Sequence, residues 1–268
     1  MDPRVETNRA WWDERVALHA DSPFYDLDRV RAGGSALDPI EQTEIGDVQR
    51  ASVLHLQCHF GLSTLSLARA GARVTGVDFS TRAVDLARRL AAEFDLEARF
   101  VRCDLYDVPR VVPEKFDVVF TSYGVLSWLP DLAGWATVVA GALRPGGRFH
   151  LVELHPAACM YDDESADPRL RYPYFRGSEA LRIERRGSYA VPDAETTHEV
   201  TYSWPAAISD VLTVLLDSGL RIESFREYSS CHEQLRPWLV PTGDGQWTTP
   251  AELPDVPLVY AVQALRPS

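Results

Sequence analysis

An α/β fold with a doubly wound, mostly parallel sheet is predicted by three observations. Short apolar runs alternate with helical patterns between residues 52 and 154, and glycines or capping residues punctuate the junctions. No stretch of the 268 residues approaches the ~20 apolar positions needed to cross a bilayer.

The elements follow in order. Asp2-Pro3 reads as an N-cap and first-turn pair for a helix through about Ala17, and a segment broken by proline and glycine continues to residue 50. The run Ser52 to Leu56 is a first strand, Gly61 to Ala70 a small-residue helix stopped by Gly71, and Arg73 to Phe79 a second strand. Ser80 is placed to cap a helix whose Ala83, Val84, Ala87, Leu90, Ala91 and Phe94 share one face. Arg99 to Val101 and Phe116 to Phe120 are further strands; Leu132 to Leu143 is a helix, Pro145-Gly146-Gly147 a turn, and Arg148 to Leu154 a fifth strand. Such alternation winds a parallel sheet right-handedly.

The rhythm breaks at residues 156–204, where prolines, clustered aromatics and two strand-like runs, Ala180 to Arg185 and His198 to Ser203, predict an inserted cap. A helix from about Ala207, a strand Leu220 to Tyr228 and a last strand Pro257 to Leu265 complete the core. The chain thus divides into an N-terminal helical arm or lid (1–50), a core (51–155), the cap (156–204) and a completing segment (205–268) of one domain.

The formal net charge of -12 repels phosphate backbones and anionic lipid, so neither nucleic acid nor membrane is an expected partner. The N-terminus lacks the apolar core of a signal peptide, and Cys58, Cys103, Cys159 and Cys231 form no C-x-x-C pair, which predicts a cytoplasmic protein with free thiols. The seven histidines show no metal-ligand spacing, so no metal is expected.

In a doubly wound sheet ligands lie outside the carboxyl ends of the strands, and a nucleotide ribose faces the second strand. Asp78 ends that strand, where a carboxylate can accept from both ribose hydroxyls; Asp104 ends the third strand, placed for an exocyclic amine between Cys103 and Leu105.

Val53 to Gly61, Val77-Asp78-Phe79-Ser80, Cys103-Asp104-Leu105, Phe116 to Tyr123 and Leu143-Arg144-Pro145-Gly146-Gly147 stand in the order of five motifs. In this the chain resembles the class I S-adenosylmethionine-dependent methyltransferases of small-molecule type. The resemblance implies a Rossmann-like seven-stranded sheet with an antiparallel last strand and S-adenosylmethionine as cofactor. It places Gln57, Cys58, His59, Gly61, Asp78, Phe79, Cys103, Asp104, Leu105, Ser122 and Tyr123 around that cofactor. The first motif departs from the family pattern: His55 replaces the usual acid on the strand, and Gln57 and His59 replace two glycines of the turn.

On the acceptor side, Tyr123 and His155 are the candidate catalytic residues, His155 as a general base at the end of the fifth strand, with Glu153 and His232 as lesser candidates. Trp11, Trp12, Tyr25, Trp128 and His155 are expected to enclose a small-molecule acceptor. Two other readings fit the same residues: an inactive scaffold of this fold, which the altered turn favours, and a nicotinamide-dependent oxidoreductase, which the missing G-x-G-x-x-G disfavours.

Overall fold

The structure, a computed structural model, describes residues 2–268. Helix α1 (Pro3–Ala20) starts where proline and cap predict, with Asp2 accepting from the backbone N–H of Arg4, and continues past Ala17. Helices α2 (Leu27–Arg31) and α3 (Pro39–Ile45) fill the rest of the arm; Asp38 and Glu41 close a reciprocal capping box at the start of α3.

The core then runs β1 (Ser52–Leu56), α4 (Leu62–Arg69), β2 (Arg73–Asp78), α5 (Thr81–Glu93) and β3 (Ala98–Arg102). A 3-10 turn and α6 (Val108–Val111) lead to β4 (Phe116–Ser122), and a second 3-10 turn at Leu126–Trp128 leads to α7 (Leu132–Ala142) and β5 (Leu143–Leu154). The expected Pro-Gly-Gly turn lies inside β5, where Gly146 takes a φ of 76°. After α8 (Pro156–Cys159), β6 (Leu181–Glu184) and β7 (Val200–Ser203) pair antiparallel as the hairpin of the cap. The chain continues through α9 (Ile208–Asp217), β8 (Arg221–Tyr228), β9 (Ser230–Cys231), β10 (Val240–Pro241), β11 (Trp247–Thr248) and β12 (Val259–Leu265). The small sheet β10-β11-β9 is absent from the sequence reading, because two-residue strands leave no apolar alternation to read.

The main sheet has the order β3-β2-β1-β4-β5-β12-β8, with β12 antiparallel to both its neighbours. Strand order therefore reverses between β1 and β4, and the crevice at their carboxyl ends is where this topology binds ligands. Both faces of the sheet are covered: Leu54, Leu56, Val119, Phe149 and Leu151 belong to one apolar cluster with α7 and α9, and Val53, Val118, Phe120 and Val152 to another.

Arm and cap are tied together above that crevice. Asn8, buried in α1, donates from Nδ2 to the carbonyl of Tyr202 and accepts from its N–H, both at 2.8 Å. Arg15 is fully buried with its guanidinium 3.8 Å from the Trp11 ring centroid and its Nε donating to the Gly187 carbonyl at 2.8 Å. Burial pulls its pKa down to about 10. Glu14 accepts from the N–H groups of Thr197 and His198. No helix among the described residues is long and apolar enough to cross a membrane.

Candidate functional site

The turn after β1 keeps a left-handed path without its usual glycines. Gln57 has φ 55°, His59 φ 50° and Gly61 φ 82°, the last capping α4. For an L-residue such backbone costs about 1–2 kcal/mol each, so surrounding contacts must hold it. His59 N–H donates to Asp78 Oδ2 at 2.8 Å, Cys58 N–H to the Val77 carbonyl at 3.0 Å, and Gln57 Nε2 to the Val125 carbonyl at 3.1 Å. At Gly61 glycine is obligatory, since a Cβ there would stand 2.5 Å from the Phe100 ring. His55 is a core histidine: Thr64 Oγ1 lies 2.8 Å from its Nδ1, and burial lowers its pKa to about 3.

Asp78 stands at the end of β2. Its carboxylate accepts from His59 N–H and Ser80 N–H, each at 2.8 Å, and burial outweighs these bonds to push its pKa up to about 6. The Cys103 N–H donates to the Asp78 carbonyl at 3.1 Å, which brings the third expected motif alongside the second. There Asp104 accepts from Tyr106 N–H through Oδ1 at 2.9 Å, Leu105 is buried, and burial raises the Cys103 thiol to about 11. Phe79 is half-buried and its carbonyl accepts from Arg102.

The arm lays an aromatic cover over this edge. Trp12 meets His59, Trp128 and Trp11 with ring centroids 5.1, 5.3 and 5.2 Å away; Tyr25 lies 5.6 Å from His59, and its hydroxyl bonds that of Tyr189. Asp13 fastens the cover, accepting from Ser80 Oγ at 2.6 Å and from the Arg82 N–H at the start of α5. His19, which the sequence reading missed, packs 5.2 Å from His59; its place seven residues after Trp12 on one helix face was the available signal. Burial pulls the His19 pKa down to about 3 and that of His59 well below its ordinary value, so both rings are neutral.

Gln57 Oε1 and both ring nitrogens of His59 and of His19 are buried without a hydrogen-bond partner. Buried polar groups are normally satisfied, and a ligand carrying hydroxyl, amino and carboxylate groups is what these would satisfy. The residues present therefore fit an amino-acid-bearing nucleoside such as S-adenosylmethionine.

Across the strand reversal, Ser122 and Tyr123 end β4, and Tyr123 has the left-handed φ of 35°. Glu153 shapes this loop: its carboxylate accepts from the N–H groups of Gly124, Val125 (2.9 Å) and Leu126 (3.0 Å), so its oxygens are committed to the fold and not to an acceptor proton. His155 is likewise occupied. Its Nδ1 accepts from Ala157 N–H at 3.0 Å as the N-cap of α8, its Nε2 donates to Glu227 Oε1 at 2.8 Å, and its ring neighbour is Tyr260, outside the aromatic cover. The expected general base is in this structure a helix cap, with no free lone pair and no contact to the enclosing aromatics.

Tyr123 instead faces His232, ring centroids 4.6 Å apart, and His232 Nδ1 lies 3.1 Å from Asp38 Oδ2. Glu41 is buried nearby, its pKa raised to about 7 by burial and by the Asp38 charge. Asp38 and Glu41 escaped the sequence reading; Asp38-Pro39-Ile40-Glu41 offered a local capping signal, but nothing local reveals a partner so far along the chain. No group of three or more metal-ligating side chains occurs among the described residues.

Comparison with known proteins bears on the domain and the fold. Residues 53–147 match the family described as a methyltransferase domain. The Ubiquinone biosynthesis O-methyltransferase of Alkalilimnicola ehrlichii is 28% identical over 56% of this chain and 58% of its own, and that of Xanthomonas euvesicatoria 31% identical over 59% and 62%. The chain thus spans about three-fifths of the curated relatives it matches. Among solved structures, an S-adenosylmethionine-dependent methyltransferase from Mesorhizobium loti superposes with a TM-score of 0.55 at 22% identity, covering 85% of this chain and 96% of that one. A DhpI-SAH complex gives 0.57 at 17% identity over 98% and 97%. These likenesses to solved structures show the fold, and the match to the methyltransferase-domain family covers residues 53–147, from β1 into β5.

Proposed function

We propose that the protein transfers a methyl group from S-adenosylmethionine to a small molecule held beneath the aromatic cover. The observation that carries this reading is the juxtaposition of Asp78, at the end of β2, with the unsatisfied Gln57 and His59 side chains at the end of β1.

When bound, the cofactor supplies an electrophilic methyl carbon, and the protein's task is to align a nucleophile with it. Asp78, with lone pairs left after its two backbone bonds, accepts from ribose hydroxyls. Asp104, whose Oδ2 is free of the cap bond, takes an exocyclic amine between Cys103 and Leu105. Gln57 and His59 serve the amino-acid end, with Cys58, Gly61, Phe79 and Ser122 completing the surface. Trp11, Trp12, Tyr25 and Trp128 exclude water from the reacting atoms, and Tyr123 lines the acceptor side.

Calorimetric titration with S-adenosylmethionine and S-adenosylhomocysteine tests this. Both are expected to bind, and Asp78→Asn to weaken binding at least tenfold, as loss of a charge-assisted hydrogen bond of about 1.5–3 kcal/mol requires. Absence of binding to the unaltered protein would refute the reading.

A further inference from the structure

Resting on that function, we propose that Arg236 anchors the methyl acceptor through a carboxylate, so that the acceptor is a small organic acid.

Arg236 is a cation without an answer. The chain holds 39 acidic against 27 basic side chains, so an arginine drawn out of bulk solvent has acids in plenty to meet. Arg236 is half-buried, and no carboxylate stands within ion-pair distance of it among the described residues. Its Nη1 donates to the carbonyl of Leu235, its Nε is buried without a partner, and its Nη2 makes no bond among the described residues. The arginines of the cap are matched by contrast. Arg171 pairs with Asp162 at 3.0 Å, Arg185 pairs with Asp163, and Arg176 spends its donors on the carbonyls of Leu129, Pro130 and Pro205. A guanidinium N–H withdrawn from water with no acceptor is costly to the fold, and the free edge formed by Nε and Nη2 is the one that matches the two oxygens of a carboxylate.

Its place in the fold links it to the acceptor side. The segment that carries it starts at Cys231 in β9 and runs between two aromatic contacts: the His232 ring lies 4.6 Å from Tyr123 at the end of β4, and Trp238 lies 5.2 Å from Tyr161, just past α8. Leu235 N–H donates to the Glu233 carbonyl at 2.9 Å and Leu239 N–H to the Arg236 carbonyl at 3.1 Å, so the backbone on both sides of Arg236 is held in turns. Its charge is felt at Cys159 in α8 and at Tyr172 and Arg185 in the cap; burial and Arg236 together pull the Arg185 pKa down. Arg236 therefore stands where the cap, α8 and the segment from the end of β4 meet. His232, four residues earlier, differs in having its charge met by Asp38, whose Oδ2 is 3.1 Å from Nδ1. Its Nε2 makes no bond among the described residues, which leaves a second donor beside Tyr123.

The surrounding acids choose among anions. Glu233 shares the segment, and Asp162 and Asp163 lie in the cap against Arg171 and Arg185. A phosphate monoester would bring two charges into their field, a carboxylate one, and a single guanidinium edge offers bonds for two oxygens and no more. With that group fixed at Arg236, the remainder of the acceptor extends toward Tyr123 and the methyl donor.

The test titrates the full chain, loaded with S-adenosylhomocysteine, with benzoate and with benzamide, an uncharged molecule of nearly the same shape, by calorimetry. Benzoate should bind at least about tenfold more tightly than benzamide, and Arg236→Gln should bring the two to equal affinity while S-adenosylhomocysteine still binds. Should that variant fail to fold, NMR of the arginine Nε–H groups of the unaltered protein decides the same point: benzoate must shift the Arg236 signal, and benzamide must not. Equal affinity for the two probes in the loaded, unaltered protein, or a benzoate preference that survives in Arg236→Gln, would overturn the proposal. Failure to bind S-adenosylhomocysteine at all overturns the methyltransferase function on which it rests.

Discussion

Glu153→Gln changes one atom of a fully packed side chain and removes half of its hydrogen-bonding capacity. In the native protein Oε1 accepts from Gly124 N–H and from Leu154 N–H at 2.7 Å, and Oε2 accepts from Val125 N–H at 2.9 Å and Leu126 N–H at 3.0 Å. A glutamine has one carbonyl oxygen, so whichever way its amide is turned, two backbone N–H groups meet an NH2 group and lose their acceptor. Each unsatisfied buried donor costs about 1–3 kcal/mol, which puts the loss at about 2–5 kcal/mol when the loop cannot rearrange. Urea unfolding should show a lowered midpoint at an unchanged slope, and cofactor binding should weaken because the loop carries Tyr123 and the Gln57 contact. The pH behaviour separates this from a generic core defect. Burial holds the Glu153 carboxyl above its usual range despite these bonds. A group whose folded pKa is raised contributes stability that is full at low pH and lost as pH rises through the folded value, a dependence Glu153→Gln removes. A variant less than about 0.5 kcal/mol destabilised would refute the view that Glu153 shapes the loop after β4.

Three further outcomes are expected. With its pKa raised to about 6, Asp78 is protonated in acid, so affinity for S-adenosylhomocysteine should fall about tenfold between about pH 7 and pH 5, and Asp78→Asn should flatten that dependence. Gly61→Ala puts a Cβ 2.5 Å from the Phe100 ring at a φ of 82°; strain and overpacking together should cost about 2–5 kcal/mol in a urea melt. Gln57→Gly relieves left-handed strain and loses one hydrogen bond, leaving stability within about 1 kcal/mol, whereas His59→Gly empties the centre of the aromatic cover and should cost about 2–4 kcal/mol. Equal responses of the two turn variants would show that the His59 ring bears no packing.

The sheet was legible because strands buried on both faces read as unbroken apolar runs and the helices between them carry their caps in sequence. Ser80 capping α5 through Ala83 N–H and the break at residue 156 are cases in point. The misreading of His155 was avoidable. A histidine directly before Pro156 is a residue at N-cap with proline at N1, and that local rule outweighs the general expectation that histidine at a strand end does chemistry. His232 was read only as a lesser candidate, and Asp38 was beyond local rules altogether. Asp38 looks like an ordinary surface residue in its own segment, and only the packing of α3 and the segment after β8 against the end of β4 brings the two within an ion pair.

The altered turn and the arm make sense only together. A glycine at position 59 would give the turn its left-handed backbone without strain, but it would leave Trp12, His19 and Tyr25 without the ring on which they seat. The cost of a left-handed histidine, about 1–2 kcal/mol, is small against the packing of four aromatic neighbours, Phe60 included at 4.5 Å. The same ring keeps two nitrogens unsatisfied, which favours whatever ligand or arm movement supplies partners for them. Left-handed backbone and unpaired buried polar atoms coincide at Gln57 and His59, and strain of this kind clusters where ligands are held.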